Sequence, residues 1–93
     1  MLYCTRIQVR IPTDMAPTEL DALRQREKDR AVEMQQQGKL VHLWRVAGQA
    51  ANVSVWNCEN HDEFHALLSS LPMFPYFEIE VIPLARHPSA IAG

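Results

Sequence analysis

Apolar and polar residues alternate from Leu2 to Ile11. Ile7, Val9 and Ile11 fall on one side, and Arg6, Gln8 and Arg10 on the other. A period of two sets one strand face against a core and turns the other to water. Two prolines, Thr13 and Asp14 then break the pattern between Pro12 and Pro17, predicting a loop. The period next lengthens. Leu20, Leu23, Glu27, Ala31 and Met34 lie within about 80° of one another at ~100° per residue, which predicts a helix over 18–37. Thr18 with Asp21 resembles a capping box, and Pro17 alternatively suits a first helical turn. Gly38 is placed to stop the helix.

Residues 40–46, Leu-Val-His-Leu-Trp-Arg-Val, form a second strand, and 51–57 a third with Val53 and Val55 opposite Asn52, Ser54 and Trp56. Ala47-Gly48-Gln49 joins them closely enough for an antiparallel hairpin. Asn60 followed by Glu63 marks a second helix, with Phe64, Leu67, Leu68 and Leu71 as its stripe and Pro72 as its end. Pro75 keeps the next turn irregular. Residues 76–84 alternate again, with Phe77, Ile79 and Val81 opposite Glu78 and Glu80, and 87–93 form a short tail. The order β-α-β-β-α-β predicts an α+β, ferredoxin-like fold. Its four-stranded antiparallel sheet carries two helices on one face, in a single domain over residues 1–93. That fold hosts many activities, so function must be read from a site.

Composition narrows the classes. The chain has 93 residues, 47% hydrophobic and 22% charged, as expected of one soluble globular domain with a modest core. Its net charge of -2, without a basic run, argues against nucleic acid as a partner. No apolar stretch approaches the ~18 residues of a membrane span. Met1-Leu2-Tyr3-Cys4-Thr5-Arg6 lacks a basic lead followed by an apolar run, so a cytoplasmic protein is expected. Cys4 and Cys58 form no CxxC pair and are expected to be reduced there. A core this small that also encloses a pocket is expected to self-associate into a homo-oligomer.

Glu27 is the anomaly. It sits in the middle of the stripe that should face the sheet, where a carboxylate loses hydration and must be paired or raised in pKa. Either outcome suits a general base near neutral pH. The bland alternatives are a side chain swung to solvent, or an ion pair with Arg24 or a sheet residue. The hairpin offers partners. Alternation puts His42 and Trp44 on one face and Arg45 on the other unless a bulge intervenes, while Asn52 and Ser54 share a face. Asn52 could donate to a developing oxyanion or merely satisfy local backbone. Arg45 could clamp a carboxylate or be a surface charge. Ser54 lies in no nucleophile motif. His65 suits a pocket edge, and Tyr76 either a pocket wall or the core. His61 and His65 are one helical turn apart, but no HExxH and no third ligand accompany them, so no metal is expected. The only glycines are Gly38, Gly48 and Gly93, which form no phosphate-cradling loop.

A set of ordered blocks carries a family resemblance. They are Glu27-Lys28, His42-Leu43-Trp44-Arg45, Gly48, Ala51-Asn52-Val53-Ser54, His65, Leu71-Pro72-Met73-Phe74-Pro75-Tyr76 and His87-Pro88-Ser89. Together they resemble the muconolactone Δ-isomerase family of the β-ketoadipate pathway, over nearly the whole chain. The resemblance implies conversion of muconolactone, a small anionic lactone, to the enol-lactone of 3-oxoadipate in bacterial catabolism of catechol. It implies no cofactor, no metal, and a dimer built up into a decamer. In this setting Glu27 is expected to move a proton from ring C4 to C2. Asn52, helped by Ser54 or His65, would stabilise the dienolate. Arg45 or Lys28, with His42, would hold the substrate carboxylate, Tyr76 would line the pocket, and the 87–93 tail would pack on a neighbouring subunit. Ala50 departs from the family, which commonly has an aromatic residue there; its loss would widen the pocket. Two rivals remain: a 5-chloromuconolactone dehalogenase on the same scaffold, and a non-enzymatic ligand-binding or assembly module.

Overall fold

The computed structural model describes residues 1–91. Its central strand, β1 (Leu2–Val9), is flanked by β3 (Ala51–Asn57) and β4 (Phe77–Leu84), and β2 (Leu40–Arg45) extends the sheet beyond β3. All neighbours are antiparallel. With α1 (Pro17–Gln36) and α2 (His61–Ser69) the order is β-α-β-β-α-β, as the periodicity predicts. The element ends follow local chemistry. β1 stops at Val9 rather than running on to Ile11, and the Arg10 N–H is taken by the Tyr76 carbonyl at 2.8 Å. The Thr18–Asp21 capping box does not form. Ala16 caps α1 without a side-chain bond and Pro17 opens the first turn, where its missing N–H costs nothing. Gly38 closes the helix at φ 75°, letting the Lys39 N–H reach back to the Met34 carbonyl at 3.0 Å.

Asn60 caps α2 by accepting the Glu63 N–H at 2.8 Å. The helix ends at Ser69, before Pro72, because a residue preceding proline is pushed out of the helical region. A single 3₁₀ turn at Phe74–Tyr76 then leads into β4. In the hairpin, Gly48 at φ 78° supplies the left-handed turn residue. A register irregularity between Leu40 and His42 lets Leu40 face the same side as Leu43 and Arg45. The inner sheet face therefore carries Tyr3, Thr5, Ile7 and Val9, then Asn52, Ser54 and Trp56, then Leu40, Leu43 and Arg45.

The core gathers under α2. Phe64 stacks on Tyr3 with ring centroids 4.1 Å apart and meets Trp56 edge-on at 5.8 Å. Leu68, Leu71, Met34 and Leu40 complete the cluster. On the opposite sheet face Leu2, Trp44, Ile82 and Leu84 stay exposed. Cys4 and Cys58 are free thiols. No helix is long and apolar enough to cross a membrane among the described residues. Residues 85–91 of the C-terminal tail are exposed, and the last two residues of the 87–93 segment lie outside the described residues.

Candidate active site

A cavity of about 460 Å³ opens between α1 and the sheet. From α1 it is lined by Arg24, Glu27, Lys28, Ala31, Val32 and Gln35, a spacing of three and four that marks one helix face. This face lies beside the core stripe, in which Leu23 and Met34 are buried. Glu27 and Ala31 sit on the border between the two. The sheet supplies the floor with Ile7, Asn52, Ser54 and Trp56, while Leu71 and Met73 come from the segment after α2.

Glu27 is half-buried, and the Met73 backbone N–H donates to its Oε1 at 2.9 Å. Its other oxygen makes no hydrogen bond among the described residues. Burial drives its pKa above the ordinary carboxylate value, and the Met73 bond, which favours the charged form, only partly opposes this. The irregular segment around Pro72 and Pro75 is what brings that N–H to the helix. No cation pairs with Glu27; the ion pairs among the described residues are Arg10–Glu78, Arg30–Glu33 and Lys39–Glu63. Arg24, Lys28 and Arg45 thus line the same cavity unpaired, three cations with one carboxylate. Such a space attracts an anion and holds a base.

The floor is polar as well. The Oδ1 of Asn52 is buried without a partner among the described residues. A buried polar atom left unpaired is costly, and a ligand that bonds it relieves that cost. Next to it on β3, Ser54 is 1% exposed and shares a hydrogen bond with Thr5, its partner in register on β1.

Five of the residues singled out in the sequence meet at this cavity: Glu27, Lys28, Arg45, Asn52 and Ser54. His42, His65 and Tyr76 do not. His42 lies on the outer sheet face, where alternation sets it with Trp44, and the two rings stack at 4.8 Å. His65 is exposed on α2. Tyr76 is half-buried in the 3₁₀ turn, away from the cavity lining. Ala50 also lines the cavity. Three contributors went unnoticed in the sequence as site residues. Arg24 and Gln35 had a signal, since Arg24 lies one helical turn from Glu27 and Gln35 two turns from Lys28, on the same face. The Met73 N–H had none, because any residue but proline carries one. Among the described residues no group of three or more His, Cys, Asp or Glu gathers as metal ligands.

Comparison with known proteins agrees over the full length. The sequence profile of the family described as muconolactone delta-isomerase matches residues 1–90. The muconolactone Delta-isomerase of Cupriavidus pinatubonensis is 48% identical over 91 residues, 98% of this chain and 99% of that protein. Its counterpart from Acinetobacter baylyi is 40% identical over 98% of this chain and 95% of its own length. A crystal structure of muconolactone isomerase superposes with a TM-score of 0.94 at 42% identity, covering 100% of this chain and 97% of the other.

Proposed function

The chain belongs to the muconolactone Δ-isomerase family, and from that premise we propose that it shifts the ring double bond of muconolactone with Glu27 as the proton carrier. The observation that carries this reading is the half-buried Glu27 carboxylate, anchored through one oxygen and facing a cation-lined cavity. Glu27 takes the proton from C4 of the lactone. The electron pair spreads through the ring as a dienolate, with charge on the lactone carbonyl oxygen. Glu27, now protonated, returns the proton to C2. The double bond has moved from C2–C3 to C3–C4, and no atom has been gained or lost. A carboxylate with a raised pKa serves both halves, since it holds the proton well enough to accept it and loosely enough to return it.

Charge on the carbonyl oxygen calls for donors, and Asn52 and Ser54 are the polar groups of the floor. The amide of Asn52 can present its NH₂ to that oxygen by turning over. The carboxylate arm of the substrate is held by Arg45 or Lys28, with Arg24 as a third cation lining the cavity. Leu43, Val32, Leu71 and Phe77 surround the ring with apolar surface that limits exchange of the shuttled proton with water. Self-association belongs to the same proposal, supported by the exposed apolar residues Leu2, Trp44, Ile82 and Leu84 on the open sheet face.

The test is a spectrophotometric assay of the purified protein with muconolactone in the presence of EDTA, beside chloride release from 5-chloromuconolactone. Isomerisation of the unsubstituted lactone is expected. Chloride release without isomerisation would replace this reading with the dehalogenase one, and no turnover of either would leave a binding module. Sedimentation of the same sample should give an oligomer; a monomer would remove that part.

A further inference from the structure

Three polar groups are packed together beneath the cavity: the hydroxyls of Thr5 and Ser54 and the indole N–H of Trp56. All are at most 1% exposed. The indole N–H lies 3.1 Å from Thr5 Oγ1 and 3.0 Å from Ser54 Oγ, and the two hydroxyls are hydrogen-bonded to each other. Neither hydroxyl bonds any other group among the described residues. Counting protons makes the cluster informative. Two hydroxyl protons are present, but only one can lie on the line between the two oxygens. The second has no protein acceptor. Ser54 lines the cavity and Thr5 does not. Only a proton on Ser54 can therefore find an acceptor outside the cluster.

We infer that Thr5 and Trp56 are positioning residues, which both donate to Ser54 Oγ and so commit the Ser54 hydroxyl to donate into the cavity, onto the carbonyl oxygen of the bound lactone. The assignment of that oxygen rests on the function proposed above; the direction of the hydroxyl does not. With both lone pairs of Ser54 Oγ occupied, the remaining tetrahedral direction belongs to its proton. A free serine rotor has three staggered choices, whereas this one has a single choice. Each bond received also polarises the O–H that is given. The donor is thus oriented before charge develops on the substrate, and its effect falls on the transition state more than on binding.

The experiment compares Ser54→Ala, Thr5→Val, Thr5→Ser and the double variant Thr5→Val/Ser54→Ala by steady-state kinetics with muconolactone. Ser54→Ala should lower kcat about 10²-fold with little change in KM. Thr5→Val should lower kcat about 3- to 10-fold, again with KM nearly constant, and Thr5→Ser should restore it. The double variant should match Ser54→Ala alone. An unchanged kcat in Thr5→Val, or losses that multiply in the double variant, would overturn the inference. A second readout needs no turnover. In proton NMR of the wild-type protein the Thr5 hydroxyl proton should exchange slowly with water and that of Ser54 rapidly; the reverse order would overturn the assignment even if all variants were poorly folded. If the wild-type protein turns over no muconolactone, the functional reading falls, and the exchange rates still decide the orientation.

Discussion

The two helices cover the same sheet face in opposite ways. Beneath α2 the surface is closed and aromatic: Tyr3, Trp56 and Phe64 are buried against one another with Leu68. Beneath the middle of α1 it is hollow, and the space is lined by Arg24, Glu27, Lys28 and Asn52. The cause is side-chain supply. Helix α2 is short, and it points Phe64 and Leu68 at the sheet. Helix α1 spans 20 residues but buries only Leu23 and Met34, at positions either side of Glu27. Two apolar anchors brace the helix, and the gap between them becomes the cavity. The packed half therefore holds the frame against which the hollow half keeps its geometry.

The contrast can be broken most severely at Glu27. Glu27→Gln keeps the shape and an acceptor for the Met73 N–H but removes the base, so turnover of muconolactone should fall about 10²- to 10⁴-fold with the fold intact by circular dichroism. Near wild-type kcat would take Glu27 out of the reaction. In the packed half the corresponding blow is to stability. Phe64→Ala should cost about 3–5 kcal/mol in urea unfolding, and a loss below 1 kcal/mol would mean that the aromatic cluster does not brace the sheet. Arg45→Ala should raise KM about 10- to 100-fold and leave kcat within a few-fold. An unchanged KM would transfer the carboxylate contact to Lys28 or Arg24.

The smallest effect sharpens the comparison through pH. The pKa of Glu27 is raised in the folded protein, so the folded state binds a proton more readily than the unfolded one. The ionised carboxylate then costs stability, and this cost grows as pH rises from the ordinary carboxylate pKa through the folded one. Glu27→Gln should accordingly be the more stable protein at neutral pH, with the difference vanishing in acid below the ordinary carboxylate range. Urea midpoints across that range check it; a variant less stable at neutral pH would show the carboxylate to be a net stabiliser. The same titration should appear in the wild-type kcat/KM, which falls on the acid side as the base is protonated, at a pH above that of an exposed glutamate.

Much of this contrast is visible in the amino-acid order. A carboxylate at position 27 of an otherwise apolar stripe already marks the hollow half, and Phe64 and Leu68 mark the packed one. Asn52 and Ser54 fall on the inner face because a strand alternates without exception unless it bulges. Alternation also separates Arg45 from His42, and the structure keeps that separation. It does not tell which of the two faces is covered by the helices, so alternation alone leaves both residues as candidates.

What the order of residues determined by itself is therefore local and periodic. It set the elements, the faces they present, the turn glycines Gly38 and Gly48, and the one acidic residue that breaks the pattern, because helix and strand periods are properties of the backbone. What only the tertiary structure decided is convergence. The Met73 N–H reaches Glu27 from 46 residues away, Thr5 meets Ser54 across 49, and Arg24 and Arg45 line one cavity. No period along the chain encodes those meetings. The Thr5–Ser54 meeting follows from the pairing register of β1 with β3, and the other two from how a 20-residue helix settles against the sheet on two apolar anchors, both properties of packing in three dimensions.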